Sequence, residues 1–153
     1  MLAFIFIIGG IILTLENYNI IGSISKNWPL LIMLLGAGFS VLFFSEKRKD
    51  AALIWLSSFM VCNGIFFYYL NYTSWLSLSR LWTVFLAIVG VSFLITSIAT
   101  LKKVFAVISL FFIILFLALF LMFTISIKLW PMGMVMFGLS LLIIEYFQSS
   151  RRK

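Results

Sequence analysis

Six apolar runs, at residues 1–15, 28–44, 51–70, 81–101, 104–123 and 129–147, make up most of the chain, and the short stretches between them hold nearly all of its charge. Most of the runs approach the roughly 20 residues that a helix needs to cross a hydrocarbon core. None shows the period-two alternation of lipid-facing and lumen-facing positions that a barrel strand requires. In lipid every backbone polar group needs an internal partner, so the runs are predicted to be transmembrane helices.

The runs also repeat. Gly10, Asn17, Tyr18 and Trp28 return 54 positions later as Gly64, Asn71, Tyr72 and Trp82. A basic residue two places before a tryptophan, with a glycine eight places after it, occurs three times: Lys26, Trp28, Gly36; Arg80, Trp82, Gly90; Lys128, Trp130, Gly138. The third copy follows the second by 48 positions, which places a deletion of about six residues in its loop. The expected fold is all-α and integral to a membrane, a single domain over 1–153. Six transmembrane helices form three tandem hairpins, at 1–50, 51–103 and 104–153. Copies of two spans each share one orientation and would be related by an axis along the membrane normal. Closure into a pseudo-threefold ring and a sequential row of hairpins both satisfy this pattern. The first run aligns without gaps to a later span and lacks a charged n-region, so it is expected to be retained rather than cleaved as a signal.

Composition agrees with this class. The chain is 65% hydrophobic and only 10% charged, with a mean hydropathy of +1.26, whereas soluble domains carry about 25% charged residues. The net charge of +7 is unevenly placed. Lys47, Arg48, Lys49, Lys102, Lys103, Arg151, Arg152 and Lys153 fall on one side, and Lys26, Arg80 and Lys128 on the other. The positive-inside rule then puts both termini in the cytoplasm. The hairpin tips face outward, where Trp28, Trp82 and Trp130, with Tyr18, Tyr72 and Trp75, are expected to anchor the outer interface as an aromatic belt.

Small residues mark the expected helix crossings. At about 1.5 Å per residue, Gly10 and Gly36 lie at similar depth in the first hairpin, and Gly64 and Gly90 in the second. Each pair is expected to face across its hairpin, with Ala118 facing Gly138 in the third. Close approach of small residues is how membrane helices gain packing without a hydrophobic driving force. Pro29 and Pro131 suit the first helical turn, where a missing amide costs nothing.

Side chains able to do chemistry are scarce. There is no His, one Cys and four acidic residues, too few for a metal site, a Ser/His/Asp constellation or a paired-carboxylate mechanism. No enzyme activity and no cofactor are expected. Cys62 reads as a small buried residue, and Glu145 as a side chain snorkelling to the interface beside Arg151 and Arg152. Asn63, in mid-span, is expected to hydrogen-bond to a neighbouring helix. Lys26, Arg80 and Lys128 each precede a helix N-terminus, where the dipole disfavours a cation. An anion explains them better: separate lipid phosphates, favoured because three gathered cations repel, or one shared headgroup in a closed ring. Nucleic acid is not an expected partner, because the basic residues are split between two membrane faces.

The first hairpin resembles a known family. Gly9-Gly10-Ile11-Ile12-Leu13, Glu16-Asn17-Tyr18-Asn19-Ile20-Ile21 and Asn27-Trp28-Pro29-Leu30-Leu31-Ile32-Met33-Leu34-Leu35-Gly36, within residues 5–47, are similar to the LiaI-LiaF-like transmembrane region of bacterial envelope proteins. The second copy has Thr83 in place of the proline, and the third keeps Leu129-Trp130-Pro131 and Gly138 without the Asn loop. The resemblance implies a protein of the bacterial cytoplasmic (inner) membrane whose relatives are accessory or inhibitory partners of envelope-stress sensor kinases. It is expected to differ from LiaF in having six spans rather than four and in lacking a soluble C-terminal domain. The expected function is therefore non-enzymatic, through contacts with lipids and other membrane proteins: a sensor kinase, a transporter or a secretion subunit. A small transporter or channel is the rival class, and it should show an intramembrane charge or a broken helix.

Overall fold

The computed structural model describes residues 27–45, 50–124 and 130–149, together with Ile7, Gly9, Gly10, Ile11, Thr14 and Tyr18. Lys26 and Lys128, the Trp130 side chain, and the basic residues at 47–49 and 151–153 lie outside the described residues. Every regular element among those described is helical: α1 (Pro29–Ser45), α2 (Ala51–Tyr72), a 3-10 turn (Trp75–Ser77), α3 (Leu78–Leu81), α4 (Val84–Thr100), α5 (Lys103–Thr124) and α6 (Trp130–Ser149).

Two of these helices are long and apolar enough to cross a membrane, α2 and, within α5, Lys103–Phe123. At 22 residues, α2 is about 33 Å long, against a hydrocarbon core of about 30 Å. A third span arises if α4 is counted with the helical turns of Trp75–Leu81, from which it is bent by 72°. The sequence suggests a straight span over 81–101. In the structure the helix proper starts only at Val84, after a break at Trp82 and Thr83.

The chain divides into two compact units, Met1–Leu78 and Ser79–Lys153. In the first, α1 packs along α2. Trp28 meets Phe67, Gly36 meets Val61 and Ser40 meets Ser57, so the two helices are antiparallel. Asp50 caps α2 by accepting from the Ala52 amide at 3.0 Å, which also sets a carboxylate at the positive end of the helix dipole. At the far end the amide and hydroxyl of Thr73 both donate to the Tyr69 carbonyl, at 3.0 and 2.8 Å.

The second unit packs α4 on α5, and α5 on α6. Here the turn is shorter: α4 ends at Thr100 and α5 begins at Lys103. Leu101 makes that turn in the left-handed conformation, with φ 56°, normally taken by glycine because a Cβ there crowds the backbone.

The packing of α1 on α2 and of α4 on α5 runs across the basic turns; most of the first helix, which would pair Gly10 with Gly36, lies outside the described residues, and Gly64 and Gly90 fall in different units. The reason lies in loop length. A connection of a few residues forces its two helices together as antiparallel neighbours, and 101–102 and 46–50 are far shorter than the stretch from 73 to 83. The repeat boundaries read at 50/51 and 103/104 thus fall inside the packed helix pairs.

Candidate functional site

Glycine sets the closest helix contacts. A Cβ built on Gly36 would lie 2.9 Å from the Ser57 carbonyl oxygen and 2.8 Å from Val61 Cγ2. One on Gly64 would collide with Met33 Cγ and stand 3.0 Å from the Pro29 carbonyl oxygen. One on Gly90 would lie 2.9 Å from Ile113 Cγ1 and 3.2 Å from its amide nitrogen. All three helices approach backbone to backbone at points where any side chain would hold them apart. The other expected crossings differ. Ala118 is buried and lies 4.0 Å from a Cβ built on Gly133, rather than opposite Gly138. Among the described residues nothing lies within 4 Å of a Cβ on Gly10 or Gly138.

Hydroxyl groups accompany the glycines, and sequence reasoning missed them. Ser57 Oγ, fully buried, donates to the Gly36 carbonyl at 2.7 Å and also contacts Ser40 Oγ. This is a polar bond between helices, made at the point where glycine lets them touch. The signal was present as Ser40, one turn beyond Gly36, and Ser57, two turns before Gly64. In α4 three hydroxyls point back into their own helix: Ser92 to Ile88, Thr96 to Ser92 and Thr100 to Thr96, each at 2.7 Å from the carbonyl four residues earlier. Ser109 on α5 is equally buried, yet its Oγ has no partner among the described residues, and neither has the Oγ1 of Thr83.

Asn63 also corrects an expectation. It is buried, but its Nδ2 donates to the Phe59 carbonyl at 2.9 Å, on its own helix. The i−4 carbonyl lies within reach of the amide, so this donor is satisfied without a second helix. Cys62 is half-buried and free. Glu145 is exposed on α6.

The aromatic residues gather at the Tyr72 end of α2. Trp28, Phe67 and Trp75 stack with ring centroids 5.3, 6.4 and 6.1 Å apart. Two side-chain hydrogen bonds fix their surroundings: Trp75 Nε1 donates to Asn71 Oδ1 at 2.8 Å, and the Tyr72 hydroxyl donates to Asn27 Oδ1 at 3.1 Å. Tyr68 and Tyr72 pack ring to ring at 4.6 Å. Tyr69, Tyr72, Trp75 and Leu76 are exposed on this ledge. In the second unit Trp82, 40% exposed, meets the edge of Phe123 at 5.3 Å, and Arg80 is exposed on α3, one turn before the break. Among the described residues no group of three His, Cys, Asp or Glu side chains is placed to hold a metal.

Compared with family models, curated proteins and solved structures, the chain matches none.

Proposed function

We propose that this protein works by contact, as a small multi-span subunit of a bacterial cytoplasmic-membrane complex. Its partner is an envelope sensor system of the kind that the LiaI-LiaF-like resemblance implies, or a larger envelope assembly. Both termini are cytoplasmic, and the aromatic ledge faces outward.

The observation that carries this reading is the ledge itself. Trp75 and Tyr72 are held by Asn71 and Asn27, so half-exposed rings are presented in fixed positions. Indole and phenol groups with an apolar body and a polar tip suit both the membrane interface and the centre of a protein contact. Rings already fixed lose little freedom on binding, which favours a specific partner.

The test is purification of the tagged chain in mild detergent, with its companions quantified by mass spectrometry, beside the Trp75→Ala/Tyr72→Ala variant at equal expression. A membrane protein recovered in near-stoichiometric amount with the parent chain, and depleted at least tenfold with the variant, is the expected result. Recovery of the same set with both chains would remove the ledge from the contact. Recovery of none with either would overturn the subunit reading.

A further inference from the structure

Two glycine contacts are each accompanied by a buried serine, but only one of these serines is bonded. A Cβ on Gly36 would meet Met60 and Val61, and one on Gly90 would meet Phe112 and Ile113. Ser57 stands one turn before Val61, and Ser109 one turn before Ile113. The match is one of contact and not of repeat register, which would set Phe111 in the place of Ser57. Ser57 donates to the Gly36 carbonyl and touches Ser40. Ser109 has no partner among the described residues. It does not take even the Phe105 carbonyl four residues back, the kind of acceptor that Ser58, Ser92, Thr96 and Thr100 use. Its Oγ is sealed from solvent, so no water serves it in this packing, and a dry unsatisfied hydroxyl is costly.

The two contacts differ by a small displacement. The Cβ on Gly36 would lie 2.9 Å from the Ser57 carbonyl oxygen, whereas that on Gly90 would lie 3.2 Å from the Ile113 amide nitrogen. In a helix the carbonyl of Ser109 and the amide of Ile113 are the two ends of one hydrogen bond, about 2.9 Å apart. Sliding α4 by that length toward Leu101 would set Gly90 over the serine carbonyl, where Gly36 stands in its own pair. Packed helices shift against one another by about 1–2 Å, and by a full turn in larger switches. The ends of α4 suit such a slide. Its N-cap residue Thr83 makes no side-chain capping bond, and the chain bends by 72° just before the helix. Leu101, at the other end, holds a φ of 56°, a conformation that a residue with a Cβ leaves readily.

We infer that α4 has two seats on α5, and that in the second, one backbone hydrogen bond further toward Leu101, Ser109 donates to the Gly90 carbonyl as Ser57 does to that of Gly36. The first seat is the apolar one, with Phe93 stacked on Phe105 and Phe112 at 6.2 and 6.1 Å. Leu94 stands four residues after Gly90, as Ser40 does after Gly36, so the second seat offers Ser109 one partner where Ser57 has two. The slide joins the bend before Thr83 to the turn at Leu101-Lys102: a pull on one end of α4 reshapes the other. This device lies within one helix pair and is independent of the partner that the ledge meets.

Double electron–electron resonance tests it, with nitroxides at Ile98→Cys on α4 and Leu117→Cys on α5, both exposed positions, in a Cys62→Ser chain in lipid nanodiscs. The labels lie toward opposite ends of the pair, so the slide lengthens their separation by about 3 Å, the length of one hydrogen bond. Leu94→Ser supplies the missing second partner and should raise the population at the longer distance at least about fivefold over the parent chain, the ratio set by one net hydrogen bond. Adding Ser109→Ala should abolish that rise. A single distance shared by all these chains overturns the inference, since Ser109 is then served without helix motion or not at all. So does a rise that survives Ser109→Ala, or one that Leu94→Ala reproduces, because the lost leucine and not the hydroxyl would then move the helix.

Discussion

Ser57 donates its hydroxyl to the carbonyl of Gly36 at 2.7 Å, from one helix to its neighbour, whereas Ser109, as deeply buried, has no partner among the described residues. The same substitution should therefore act in opposite directions. Ser57→Ala should cost about 1 kcal/mol, the usual net value of a hydrogen bond, and Ser109→Ala should cost nothing or gain up to about 1 kcal/mol by removing an unsatisfied hydroxyl. Thermal unfolding in detergent, followed by helical circular dichroism, reads both. A larger loss at Ser109 than at Ser57 would contradict the assignment.

The glycine contacts predict a graded series. Gly36→Ala and Gly64→Ala each meet a carbonyl oxygen, at 2.9 and 3.0 Å, so backbone must shift, and overpacking of this kind costs about 1 to 3 kcal/mol. Gly138→Ala meets nothing described within 4 Å and should raise the stability of the single chain by up to about 1 kcal/mol, the helix propensity of Ala over Gly. Equal gains at all three positions would show that helix propensity, which favours Ala over Gly, and not contact, governs the response.

Leu101 turns the chain between α4 and α5 with a positive φ and is 85% exposed. A Cβ in that conformation costs about 1 to 2 kcal/mol, so Leu101→Gly should raise stability by about 1 kcal/mol after the added freedom of the unfolded chain is set against it. Leu101→Val, whose branched Cβ fits the left-handed region still less well, should lower it. The pair of variants, measured by denaturant titration in micelles, separates strain from the loss of an apolar side chain.

On the aromatic ledge, Asn71→Ala removes the acceptor 2.8 Å from Trp75 Nε1. The indole should then become mobile, with a red-shifted and less anisotropic tryptophan emission in a chain whose other tryptophans are replaced by Phe. Unchanged anisotropy would mean that the stack with Phe67 and the ring at position 28 alone holds the indole.

Orientation can be checked by labelling. With the ledge outward, a membrane-impermeant maleimide added to intact cells should modify Ser77→Cys and spare Ser149→Cys in a Cys62→Ser background. The reverse pattern would invert the proposed topology.

The sequence was most informative where one physical effect dominates. Long apolar runs can only be helices in lipid, and every regular element among the described residues is helical. Glycines without side chains mark close approach, and Gly36, Gly64 and Gly90 all sit at such contacts. Less legible was which neighbour each glycine meets: depth is shared by every helix at that level and cannot choose among them, whereas the short turn at Leu101-Lys102 can, because it leaves α4 and α5 no freedom to part. Asn63 misled for a related reason, since a side-chain amide in a helix always has the i−4 carbonyl as a rival to any partner on another helix. Lys26, Lys128 and the Trp130 side chain lie outside the described residues, so the outward basic triad rests on sequence alone.

The hydroxyls of Ser92, Thr96 and Thr100 each return to a carbonyl of their own helix. Those three hydroxyls therefore have acceptors that no neighbouring helix need supply. Ser57 differs, because the carbonyl it reaches belongs to α1. The hydroxyl of α2 is thus satisfied across a helix pair and those of α4 within one helix, so that prising α1 from α2 would strand a donor, whereas parting α4 from α5 would cost only the fit around Gly90.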